Sequence, residues 1–71
     1  MNKKEFLIEI QDIMLLDDIN ETTVIEVDSM ASLLLIAFLD EEFSKPISQE
    51  QIKSIKSVSD IIELIGEDNF K

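Results

Sequence analysis

Residues 27–43 read VDSMASLLLIAFLDEEF, and the reading of this stretch decides the fold. Asp28-Ser29-Met30 is polar and looks like the opening of a helix. The apolar run LLLIAFL follows over residues 33–39, and Asp40-Glu41-Glu42 closes it. A helical wheel at about 100° per residue brings Leu35, Ile36, Leu39 and Phe43 together, with Ser32 among them. That is a core stripe. Met30, Leu34, Ala37 and Glu41 fall on roughly the opposite side, with Ala31 and Phe38 at its edge. A helix apolar on both sides must either bury both or meet a partner. The central question is therefore whether the second stripe is covered by the rest of the chain.

Outward from this helix, three further helical stretches are expected. The first spans about residues 3–16, where Phe6, Leu7, Ile10, Ile13 and Met14 recur at helical spacing and Glu5, Glu9 and Asp12 take the other side. Residues 17–27, DDINETTVIEV, hold no sustained stripe and read as a long loop, pinned to the core through Val24, Ile25 and Val27. The central helix is expected to end near Ser44, because Pro46 disfavours helical geometry in Lys45. Ser48 and Gln51 then fit a capping box for a short third helix, with Ile47 and Ile52 at the staple positions. A fourth helix opens at Ser57, with Asp60 in its first turn, Val58, Ile61, Ile62 and Ile65 as its stripe, and Gly66 as its C-terminal cap. The class is all-α: one domain over residues 1–71, a four-helix bundle with three longer helices, one short helix and a long first loop.

The chain has 71 residues, no cysteine and no histidine. That removes disulfides, thiolate metal sites and the commonest general base, so an enzyme is the least expected class. The carboxylates at Asp17-Asp18 and Asp40-Glu41-Glu42 lack metal-loop spacing and read as a solvated loop and helix end. Net charge is −10, from 16 acids against 6 lysines. Nucleic acid and anionic membrane surfaces would be repelled, whereas partners with basic patches would be steered in. The N-terminal segment lacks the continuous apolar core of a signal peptide, and the 33–39 run is too short to span a bilayer. A cytoplasmic monomer is expected.

A serine at a helix start is usually a cap. The same place offers free N–H groups and a positive dipole end, which suit a phosphate. Asp28-Ser29-Met30, the apolar helix, the acidic triplet 40–42 and Phe43 together resemble the acyl carrier protein family. So does the tail, a short third helix followed by Ser57-Val58-Ser59-Asp60. The resemblance covers nearly the whole chain and implies an acyl-carrier type of bundle. It also implies that Ser29 accepts 4′-phosphopantetheine from coenzyme A through a phosphopantetheinyl transferase, with Asp28 in the site that enzyme recognises. The arm's thiol would carry acyl groups as thioesters for partner enzymes of fatty-acid, polyketide or related biosynthesis, and the chain itself would catalyse nothing.

The departures from the family narrow this expectation. The common string Asp-Leu-Gly-Ala-Asp-Ser-Leu reads Val24-Ile25-Glu26-Val27-Asp28-Ser29-Met30 here. Two docking acids frequent in fatty-acid carriers fall at Ala31 and Leu34. A specialised carrier is implied, whose partner surface comprises Met30, Ala31, Leu34, Ala37, Phe38, Asp40 and Glu41, apolar at the centre and acidic at the rim. Asp-Ser-Met also resembles D-alanyl carriers, so an aminoacyl or peptidyl carrier is the alternative within the class. Outside it stands an unmodified acidic helical module that binds a basic partner through Met30, Leu34 and Phe38.

Overall fold

The computed structural model describes residues 1–70. In order, these form α1 (Lys3–Met14), α2 (Ser29–Phe43), α3 (Gln49–Lys53), α4 (Val58–Ile65) and a closing 3-10 turn (Glu67–Asn69). The described chain is all-α, with three longer helices and one short.

Each start has a local cause. Asn2 and Glu5 form a reciprocal capping box on α1: the Glu5 N–H donates to Asn2 Oδ1 (2.8 Å) and the Asn2 N–H to Glu5 Oε1 (3.1 Å). Ser48 and Gln51 do the same on α3, at 3.2 and 3.0 Å. On α4 the Asp60 carboxylate reaches back to the N–H groups of Lys56 (2.8 Å) and Ser57 (3.1 Å). These bonds satisfy donors that a helix start leaves without an intrahelical partner.

The ends of α1 and α2 are left-handed. Leu15 has φ 56° and Ser44 φ 53°, a conformation that favours glycine or asparagine. The end of α1 thus falls at Met14, short of the expected Leu16. The reason is that the core stripe has run out: Leu15 is 90% and Leu16 38% exposed, so nothing rewards another turn.

The core is built from Phe6 and Ile10 of α1, Leu35 and Leu39 of α2, and Val58, Ile61 and Ile65 of α4, all fully buried. Ile52 of α3 and Ile55 join them. Burying an aliphatic or phenyl side chain contributes about 1.5–3 kcal/mol, so this set dominates the fold's stability. No charged or polar side chain is buried among the described residues.

The long loop is held differently from its expected mode. Ile25 is buried as expected and Val27 packs half-buried, but Val24 is 77% exposed. Val24 acts through its neighbours' backbone instead. The Ile25 N–H donates to the Lys56 carbonyl (2.9 Å) and the Val58 N–H to the Thr23 carbonyl (3.0 Å), which stitches the loop to the start of α4. Ile19 supplies a second apolar anchor.

All four phenylalanines gather at one end of the bundle. Phe6 stacks on Phe38 (6.2 Å between centroids), and Phe70 meets Phe6 and Phe43 edge-on at 5.2 and 5.4 Å. This cluster anchors the Phe43 end of α2 and leaves the Ser29 end free of aromatic cover. No helix among the described residues is long and apolar enough to cross a membrane.

Candidate functional site

The site forms where the loop enters α2. Two adjacent residues could cap this helix, and the structure divides their roles. Asp28 is the cap. Its backbone is extended, its Oδ1 accepts the Ala31 N–H at 2.8 Å, and its carbonyl accepts the Ser32 N–H at 2.9 Å. Ser29 is the first helical residue, and it is exposed. Among the described residues its Oγ has no hydrogen-bond partner, while its carbonyl accepts the Ser32 hydroxyl at 2.8 Å.

This division has a chemical consequence. A capping serine would spend its hydroxyl on the backbone, whereas here Asp28 does that work and leaves the Ser29 oxygen available to solvent. The N–H groups of Ser29 and Met30, in the first turn, have no intrahelical acceptor and lie at the positive end of the helix dipole.

A groove of about 260 Å³ opens beside Ser29, between the first turns of α2 and the short α3. Ser29, Ser32 and Leu33 form one wall, and Gln49, Ile52 and Lys53 form the other. It is open to solvent, and its lining combines apolar Val27, Leu33 and Ile52 with one lysine, Lys53. A phosphodiester on Ser29 fits this surround: the oxygen is free, the helix start is electropositive, and Lys53 supplies a cation. Among the described residues no three carboxylates converge as a cation site.

The rest of α2 answers the question of its second stripe. Met30, Leu33 and Leu34 are 72%, 62% and 49% exposed. Ala37, Asp40 and Glu41 are exposed on the same side. Among the described residues the second stripe is therefore left largely uncovered.

Two expected members of the partner surface lie elsewhere. Ala31 is buried, because it stands four residues before Leu35 and eight before Leu39, on the core stripe itself. Phe38 is half-buried, stacked on Phe6 and edge-on to Phe43 at 6.0 Å, so it belongs to the aromatic end of the bundle. Leu33 is the surface member that the sequence reading missed. Its position three residues after Met30 and four before Ala37 was the available signal.

No family model matches the chain, and neither a curated protein nor a solved structure matches it.

Proposed function

We propose that this chain is a phosphopantetheine carrier of the acyl-carrier type, modified at Ser29 by a separate transferase and working in the cytoplasm with dedicated partner enzymes. The observation that supports it best is the free Ser29 hydroxyl at the head of α2, with helix capping delegated to Asp28. In the transfer, Ser29 Oγ would form a bond to phosphorus of the coenzyme A pyrophosphate, its proton passing to the transferase, as the bond to the adenosine bisphosphate breaks. The bound arm would supply a thiol, which this cysteine-free chain lacks. The chain's own part is attachment, electrostatic support of the phosphodiester by the helix start and Lys53, and presentation to partners.

The exposed apolar stripe of Met30, Leu33 and Leu34 favours a specialised carrier, since general fatty-acid carriers offer more acid on this face. An aminoacyl cargo fits that surface as well as an acyl one. The same stripe also favours a reading from another class, an unmodified interaction module. One experiment separates the two. Purified protein is incubated with coenzyme A, Mg²⁺ and a promiscuous phosphopantetheinyl transferase, and intact mass is measured. The mass rises by one phosphopantetheine in the wild type and stays constant in Ser29→Ala. No gain under conditions that modify a control carrier leaves the interaction module as the reading.

A further inference from the structure

The helical hydrogen bonding of α4 stops at Gly66, whose N–H donates to the Ile62 carbonyl at 2.8 Å and whose φ is 90°. That angle favours glycine, and a Cβ added there would lie 3.3 Å from Asn69 Nδ2. The 3-10 turn that follows folds back over the aromatic end of the bundle. Phe70 lies edge-on to Phe6 at 5.2 Å and to Phe43 at 5.4 Å, and Glu67 accepts a hydrogen bond from Lys3 Nζ at 2.6 Å. We infer that residues 66–70 form a strap that opens about Gly66 as a unit of its own and uncovers Phe6 and Phe43, and that the Lys3–Glu67 pair sets how often it opens.

Three observations carry this. The first is how lightly the strap is held. Glu67, Asp68 and Asn69 are exposed, and the half-buried Phe70 is its one apolar side chain. Its bonds to the end of α4 are few: Asn69 Nδ2 donates to the Ile65 carbonyl at 2.6 Å, and the Asn69 N–H to the Gly66 carbonyl at 3.0 Å. Segments with few buried contacts and exposed hydrogen bonds open more readily than the core. On the other side of Gly66, α4 buries Val58, Ile61, Ile62 and Ile65.

The second is what lies beneath. Phe6 is fully buried and meets the rings of Phe38, Phe43 and Phe70. Lifting Phe70 away bares the edges of Phe6 and Phe43, an apolar surface that the closed chain does not present. The strap is thus a cover on the bundle rather than a part of its core.

The third is Lys3. Its ammonium also approaches Glu21 at 3.4 Å, so one cation joins the start of α1, the long loop and the strap. An exposed pair of this kind contributes little to a whole fold. The strap has few other fastenings, and the same contribution is a large share of what closes it. Opening therefore responds to the charge on Lys3 while the bundle does not.

The test follows protein labelled with ¹³C at phenylalanine rings and isoleucine methyl groups. Lys3→Gln and Glu67→Gln each raise the open-to-closed ratio of the strap about two- to fivefold. This is read as movement of the Phe70 ring resonances toward their unfolded positions, with the Ile61 and Ile65 methyls unmoved. The gap between wild type and Lys3→Gln closes in about 1 M salt, where screening reaches roughly 3 Å. Phe70→Ala removes the aromatic fastening: an apolar dye then binds a chain whose far-ultraviolet dichroism is native. Glu21→Gln removes an acid without freeing the strap and leaves the ratio at or below that of the wild type.

Phe70 resonances that stay fixed in Lys3→Gln and Glu67→Gln, or that move only together with the Ile61 and Ile65 methyls, overturn the inference. So does an effect of Glu21→Gln as large as that of Glu67→Gln, which would assign it to net charge. A gap that persists at high salt, or Phe70→Ala without dye binding, overturns it as well. None of these results depends on a modification at Ser29.

Discussion

Helices α2 and α4 are built from similar proportions of apolar residues and use them in opposite ways. In α4 the apolar positions recur on one side, and Val58, Ile61, Ile62 and Ile65 are all buried. In α2 they run round the cylinder. Ala31, Leu35 and Leu39 are buried, while Met30, Leu33 and Leu34 face solvent. The contrast shows that hydrophobicity and core membership are separable. α4 is apolar because the bundle needs it. Met30, Leu33 and Leu34 lie largely outside the core and have to be explained by what the helix meets.

Neighbouring leucines put that contrast to the sharpest test. Leu35→Ala is expected to cost about 2–5 kcal/mol, as is Ile61→Ala in α4, because each empties a fully buried position. Leu34→Ala, one residue away, is expected to stay within about 0.5 kcal/mol. Urea unfolding of the three variants measures this. A similar loss at Leu34 and Leu35 would erase the distinction between the two stripes.

The two helix starts differ too. α4 has an acid three residues into the helix reaching back, whereas α2 relies on Asp28 alone. Asp28→Ala is expected to cost about 1 kcal/mol, seen as a lower urea midpoint with an unchanged slope. An unaffected midpoint would mean that Ser29 takes over as cap, and its hydroxyl would then not be free.

The smallest effect is on the α4 side. After α4 the chain turns so that Glu67 accepts a hydrogen bond from Lys3 Nζ at 2.6 Å, and Lys3 also approaches Glu21 at 3.4 Å. The bond from Lys3, then its charge, holds the Glu67 carboxyl below its ordinary value. The bond to Glu67 is also the main cause that raises Lys3 above its own. For Glu67 the stabilisation is present above the unfolded carboxyl's titration and fades as pH falls through the lowered folded value. For Lys3 it is present below the ordinary lysine range and fades as pH rises through the raised one. Both groups are exposed, so the gain is small. Glu67→Gln is expected to lower the melting temperature slightly at neutral pH, with the gap closing on acidification. A gap that persists in acid would assign it to packing.

Much of this molecule is legible in the sequence, and the exceptions have physical reasons. Ser48 with Gln51, the α4 stripe and the Pro46 stop are local signals, and each appears where its spacing puts it. Asn2 with Glu5 has the same spacing as Ser48 with Gln51 but lies at the chain's edge, where it draws less notice. Ile19 and the backbone stitching around Val24 are held by contacts distant in sequence, which no local period encodes. The unbroken run 33–39 offers no polar gap to mark its phase, so Leu33 and Ala31 could exchange sides on paper. Only the packing of Phe6 and Ile10 against Leu35 and Leu39 fixes the rotation. The roles of Asp28 and Ser29 are equally undecidable from two adjacent capping residues, and that choice is what frees the hydroxyl.

The phenylalanine cluster gives the protein an optical signature. The chain has no tryptophan and no tyrosine, so its near-ultraviolet absorption and dichroism come from Phe6, Phe38, Phe43 and Phe70 alone, and all four share one cluster. That signal reports only the end of the bundle remote from Ser29, without any label. Far-ultraviolet dichroism reports the helices as a whole. Loading or docking events at the Ser29 end can thus be scored for their reach: those that loosen the far end dim the aromatic band, and those that stay local leave it unchanged.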